Sequence, residues 1–206
     1  MTHTFFGLLS RMRLIRRWSL MRNLHPENVA EHSFEVAILA HALAHLRRER
    51  FATEGRVLPD PRRVMELAMF HDVPEVITGD LPTPVKYHNP ELRQAFGEME
   101  EAATRRLLQL LPPDLRPSYE VILTAEHQET EDPELRASLE LVKAADKISA
   151  WLKCLLETQQ GNTEFALAQQ SILDTLQAMR LPEVDCFLAE FAPAYGLPLD
   201  TLQEEA

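Results

Sequence analysis

The chain has 206 residues, of which 45% are apolar and 26% charged, with a formal net charge of −11. That supplies enough apolar material for a single buried core and excludes a disordered or fibrous chain. The acidic balance also excludes a general nucleic-acid binder, which meets phosphates with a basic face. A phosphate substrate would have to be met locally, by a metal and a few Arg or Lys.

Residues 5–15 carry apolar side chains at Phe5, Leu8, Leu9, Met12 and Ile15, which is helical spacing. This N-terminal region puts its short apolar run before its arginines, the reverse of a secretory signal. No apolar run approaches the roughly 18 residues of a membrane span. The expectation is a cytoplasmic protein with no membrane partner. Residues 16–27 break the period and read as loop. Asn28 then sits as an N-cap with Glu31 at the third helical position, a capping box. The helix that follows runs to about residue 50 and buries Val29, Val36, Leu39, Leu43 and Leu46. Asp60-Pro61 pairs an N-cap with proline at the first helical position and starts a helix ending near His71. Pro74 begins a new turn that Gly79 stops.

Asn89-Pro90 starts a helix to residue 111, halted by Pro112-Pro113. Further helices are predicted over 115–127, 134–157, 163–180 and 184–194. The 134–157 stripe is built on Leu135, Leu139, Val142, Ile148 and Leu152. No alternation of period two and no repeat is present. The expected architecture is a single all-α domain over residues 1–206, a bundle of about seven to nine helices. Cys154 and Cys186 show no pairing or CxxC pattern and read as buried free thiols.

Four side chains stand out as metal ligands: His32, the adjacent His71 and Asp72, and Asp146. His32 lies in the first turn of a helix whose other face is apolar. Asp146 interrupts an apolar run, where an unpaired buried carboxylate would cost several kcal/mol. A divalent cation offsets that cost, and two imidazoles with two carboxylates suit a transition metal such as cobalt or manganese. Each residue alone has an ordinary explanation, and Asp146 has Lys143 and Lys147 within reach.

The order H…HD…D on a helical background resembles the HD-domain phosphohydrolases, and within them the bacterial 5′-deoxynucleotidase family. The matching segments are SRMRLIRRWSLMRN, ENVAEHSFEVA, MFHDVPEVITGDLPTPVKY and LVKAADKISAWLKCLLE, spread over residues 10–157. The TGDLPTPVKY run is more specific than the HD pair. The resemblance implies an HD-domain fold, a homodimer, and hydrolysis of deoxyribonucleoside 5′-monophosphates. It implies one divalent metal on His32, His71, Asp72 and Asp146, with His32, Asp72 and Asp146 also bordering the substrate.

Beside that site, Glu75 is implied as the general acid/base, although its residue type also fits a solvated first-turn carboxylate. Arg17 is implied in phosphate binding and catalysis and Trp18 in holding the sugar or base. On residues alone both stay open, since Trp18 would equally plug the core. Asp80, Leu81, Pro82 and Thr83 are implied as the turn that accepts the 3′-hydroxyl and closes the 2′ side. Lys86 is open between phosphate and surface. Glu126 can face the site, and His127 reads as an ordinary C-terminal histidine of its helix. Alternatives are an HD phosphohydrolase acting on nucleoside triphosphates or cyclic phosphodiesters, and a non-catalytic nucleotide-binding regulator.

Overall fold

Helix starts follow from caps written in the sequence. The computed structural model describes residues 2–86, 88–127 and 130–204. Its first helix, α1, is only Phe5–Leu9 and tightens into a 3-10 turn over Ser10–Leu14, so the expected residue 5–15 helix is split. The loop behind it returns on itself: Arg17 N donates to Glu27 O and Val29 N to Ile15 O, each at 3.0 Å. Helix α2, Val29–Glu49, opens on the full capping box. Asn28 Oδ1 accepts from Ala30 N and Glu31 N, and Glu31 Oε2 accepts from Asn28 N. Helix α3, Pro61–Phe70, starts on the Asp60 cap with proline at its first position.

Pro74 opens the single turn α4, Glu75–Thr78, which ends at Gly79 with φ of 75°, a conformation glycine adopts without strain. A second single turn, α5, spans Thr83–Lys86; the side chain of Thr83 lies outside the described part. Helix α6, Pro90–Gln109, is capped by Asn89. The expected 115–127 helix divides into α7, Arg116–Leu123, and a 3-10 turn, Ala125–His127. Helix α8, Pro133–Gln159, is the longest, with 27 residues. A 3-10 turn at Thr163–Phe165 leads into α9, Ala166–Ala178. The expected 184–194 helix is α10, Pro182–Glu190, plus a 3-10 turn, and α11, Leu199–Glu204, follows unforeseen. Among the described residues there are no strands, only one isolated bridge between Arg16 and Asn28. Among the described residues, nine helices of five or more residues and two single turns fit the expected bundle.

The main core joins Leu39 and Leu43 of α2, Val64 and Leu67 of α3, and Leu141, Ala145 and Ile148 of α8. Burying side chains of this size is worth about 1.5–3 kcal/mol each. These three helices bring the candidate ligands together. A smaller cluster of Phe5, Met12, Val29, Val73 and Leu107 backs the N-terminal segment. Cys154 is buried as expected; Cys186 is not, because its thiol lies at the α10 surface against Arg50 and Glu190.

Two buried carboxylates fasten distant segments. Glu157 accepts from Leu24 N (2.9 Å), His25 N (3.0 Å) and Asn162 Nδ2 (2.7 Å), and pairs with Lys153. Burial opposes its ionisation, but these hydrogen bonds hold the carboxyl down at about 2. Glu183 accepts from Arg47 Nε at 2.6 Å and Arg56 Nη2 at 2.7 Å, tying α2 and the 51–60 loop to α10. Neither Glu183 nor Arg47 has appreciable solvent contact. Glu183→Ala should therefore cost about 3 kcal/mol in urea unfolding, because it leaves the buried Arg47 with only the half-exposed Glu140 as counter-charge, at 2.8 Å.

Candidate metal centre and adjoining cavity

His32 projects from the first turn of α2, His71 and Asp72 from the C-terminal end of α3, and Asp146 from the middle of α8. Ligand atoms of His32, His71 and Asp72 all lie within 4.8 Å of one another. Asp146 Oδ1 joins them at 3.2 Å from His32 Nε2. Asp72 Oδ2 is 3.5 Å from His32 Nε2 and 3.2 Å from His71 Nε2. The other oxygen of Asp146 takes the expected neighbour, Lys147 Nζ, at 2.9 Å.

Both imidazoles are turned by bonds on the far side of the ring. His71 Nδ1 donates to Ala68 O at 2.7 Å, directing Nε2 inward. His32 Nδ1 lies 3.1 Å from Ser149 Oγ, whose proton goes to Glu35 Oε2 at 2.6 Å. With the hydroxyl proton committed to Glu35, Ser149 accepts from His32, and the lone pair of His32 falls on Nε2. The Nε2 atoms of His32 and His71 are buried with no aligned hydrogen-bond partner. Two inward imidazole nitrogens and two carboxylates suit a divalent transition metal, so the residues fit the expected cofactor.

The charges of these groups depend strongly on one another. Burial opposes the charged imidazole, yet the Asp72 carboxylate raises His71 to about 10. Asp72 itself is held far below the usual range despite its burial, by His71 and then His32 and Arg17. Asp146 is depressed by His32 and Lys147 against the same penalty. Glu75 goes the other way. Burial, then the negative charges of Asp72 and Asp80, push it up to about 9, and its Oε2 has no aligned partner.

Arg17 Nη1 reaches Asp72 Oδ2 at 3.2 Å, setting a guanidinium against the ligand cluster. Trp18 is half-buried with its ring against Phe165, centroids 5.5 Å apart, and its Nε1 donates to Glu27 Oε2 at 2.9 Å. Arg17, Trp18, Asp80, Leu81, Pro82 and Asp146 border one cavity of about 570 Å³. A larger cavity of about 810 Å³ between His88 and Glu101 has none of the ligand residues, so size alone does not locate the site. Lys86 is drawn away, to Glu100 at 2.9 Å and the Phe96 ring. Glu126 is raised mainly by burial and feels His71, Asp72 and Asp146. His127 closes its 3-10 turn.

Several residues at the site carry no signal that sequence reasoning used. The opposite wall of the cavity comes from α9, through Ala168, Ser171, Ile172 and Thr175. Glu27, Glu35 and Ser149 were also missed. A carboxylate at the end of a loop and one on a helix face are ordinary at their positions, and only long-range contacts single them out.

A bundle whose HD pair meets a histidine and an aspartate from two other helices defines an HD-domain phosphohydrolase. More narrowly, the family model for 5′-deoxynucleotidase YfbR-like proteins matches residues 4–195, and the chain belongs to that family. A 5′-deoxynucleotidase of Vibrio parahaemolyticus is 46% identical, over 96% of this chain and 97% of its own length. An HD-domain phosphohydrolase structure from Listeria innocua superposes with a TM-score of 0.76 at 25% identity, covering 98% of this chain and 96% of its own. A predicted metal-dependent phosphohydrolase from Magnetospirillum magnetotacticum, at 26% identity, gives 0.59 over 94% and 90%. Among the described residues no helix is long and apolar enough to cross a membrane.

Glu75 yields a pH test. Its carboxyl titrates at about 9 in the folded metal-free protein against 4.5 ordinarily. Between those values the folded state holds a proton that the unfolded state has lost, so stability falls as pH rises. Glu75→Gln removes that dependence. The metal-free variant should exceed the parent by about 1–3 kcal/mol at pH 8 and lose the advantage near pH 4, by urea unfolding at both pH values.

Proposed function

We propose that this chain hydrolyses deoxyribonucleoside 5′-monophosphates to deoxyribonucleosides and phosphate. One divalent transition metal would be held by His32, His71, Asp72 and Asp146. The observation that carries this reading is the convergence of two buried imidazole Nε2 atoms, neither in an aligned hydrogen bond, and two carboxylates beside a cavity bordered by Arg17, Trp18 and Asp80. The name carried by the Vibrio relative, across nearly the whole chain, supports the substrate class.

When bound, the cation supplies a Lewis acid that activates water and screens the phosphate charge. The chain does the rest. Arg17 offers a planar fork to phosphate oxygens. Neutralising Asp72 removes the second cause of the raised Glu75 carboxyl and leaves burial, the first, in force. Glu75 therefore retains a proton to give the departing 5′-oxygen and, once ionised, takes one from the attacking water. Trp18 has committed its indole N–H to Glu27 and presents a ring face to the sugar or base. Asp80 accepts from the 3′-hydroxyl. Leu81 and Pro82 crowd the 2′ side in a turn stiffened by Val85 N and Lys86 N donating to Pro82 O. A 2′-hydroxyl would be rejected by clash.

The α9 wall has no charged side chain, which suits indifference to the base. Triphosphate hydrolysis is the weaker reading, because the cations at the cavity are Arg17 and Lys147, and Lys147 is engaged by Asp146.

The test is phosphate release from dAMP and AMP with cobalt, manganese or zinc. Turnover should require metal, and AMP should react at least about tenfold more slowly, a discrimination of about 1.4 kcal/mol. Asp72→Ala should lose the metal. Glu75→Ala should keep it and lose about 10²–10⁴-fold in turnover. No phosphate from any nucleotide under these metals would end the hydrolase reading; equal rates on AMP and dAMP would end the sugar assignment alone.

A further inference from the structure

Trp18 has φ of 56° and Arg180 53°; among the described non-glycine residues these two alone are left-handed. For a bulky side chain this conformation costs about 1 kcal/mol or more and persists where its surroundings over-determine it. Here they do. Trp18 O accepts from Met21 N at 2.9 Å and from Asn23 Nδ2 at 3.1 Å. Glu27 contributes at three points. Its carbonyl accepts from Arg17 N at 3.0 Å, its Oε2 accepts from the Trp18 indole at 2.9 Å, and the same oxygen lies 3.5 Å from Arg17 Nε. Its other oxygen lies 3.6 Å from His32 Nδ1. The carboxylate is 13% exposed, so these neighbours, more than water, are its surroundings.

We propose that Glu27 is a positioning residue that fixes Arg17 and Trp18 in the orientation in which they receive the nucleotide. The inference rests on the reading of those two residues as nucleotide receptors. The guanidinium of Arg17 lies between two carboxylates, Asp72 at 3.2 Å and Glu27 at 3.5 Å. Glu27 keeps Arg17 from turning wholly onto the ligand Asp72, where its fork would be spent. It also uses up the one polar hydrogen of Trp18, so the ring meets the ligand by its face. Neutral Gln at this position would still accept from the indole but would not balance Asp72. His32 Nδ1 lies closer to Ser149, at 3.1 Å, than to Glu27. Removing Glu27 therefore bears on the nucleotide more than on the metal.

The experiment measures steady-state kinetics on dAMP, metal affinity by chelator competition, and acrylamide quenching of Trp18 in a Trp151→Phe background, which leaves it the sole tryptophan. Glu27→Ala should raise KM about tenfold, the worth of one hydrogen bond to a charged group, with kcat changed much less. Trp18 should become more quenchable. Metal affinity should fall by less than the tenfold that losing an outer-shell ligand partner costs. Glu27→Gln should keep Trp18 protected while KM still rises several-fold. It carries the test if the alanine variant does not fold, and wild-type KM in it then overturns the proposal.

Wild-type KM and quenching in Glu27→Ala also overturn the proposal, whatever happens to thermal stability. Arg17→Ala and Trp18→Ala separate the two levels. If both leave KM unchanged, the nucleotide reading of the pocket fails and the inference fails with it. If they raise KM and Glu27→Ala does not, the inference alone fails.

Discussion

Four candidate ligand side chains from three helices meet at one largely buried point, and the rest of the molecule is arranged to tolerate that. Bringing Asp72 and Asp146 beside two imidazoles removes ions from solvent at a cost of several kcal/mol each. Within the cluster the Asp72 carboxylate raises His71 against its burial, and the imidazoles and Arg17 in turn hold Asp72 down. The apolar packing of α2, α3 and α8 offsets what the site costs and fixes its geometry. Asp72 is the pivot, since both imidazoles and Arg17 converge on its Oδ2.

Outside that point the same economy of partners recurs. His71 is oriented by a backbone carbonyl four chain positions from Asp72, so its placement is local to one helix end. His32 is oriented by Ser149 and Glu35, so its placement depends on α2 and α8 being docked. The two histidines are therefore secured by different means, one by helix geometry and one by tertiary packing. Loss of core packing would misorient His32 before His71.

What the chain reveals before folding divides along the same line. Capping boxes and proline starts are local, and Asn28-Val29-Ala30-Glu31, Asp60-Pro61 and Asn89-Pro90 each begin a helix where their chemistry requires. The HD pair is local as well; Asp146 is legible as a polar interruption of an apolar run, and His32 as a first-turn histidine on a helix whose other face is apolar. The 3-10 turns at Ser10, Ala125 and Thr163 were not legible. Hydrophobic spacing reports which face is buried, not whether a turn closes with one residue fewer. The outer partners were hidden for another reason: Ser149 reaches Glu35 across 114 positions and Arg47 reaches Glu183 across 136. The α9 wall was invisible because Ala, Ser, Ile and Thr have no distinguishing chemistry until a cavity faces them.

The bond from Glu157 to the 24–25 backbone has a mechanical consequence. Asp146 and Glu157 lie on one uninterrupted helix, eleven positions or about 16 Å apart at 1.5 Å per residue. One end of that span presents the candidate ligand Asp146. The other grips the loop that leads back to Trp18 and Arg17. The distance between Asp146 and the segment carrying Arg17 and Trp18 is thus gauged by a rigid rod and set during folding. On the proposed function, a substrate would enter a ready-made gap, and little of its binding energy would go into assembling one.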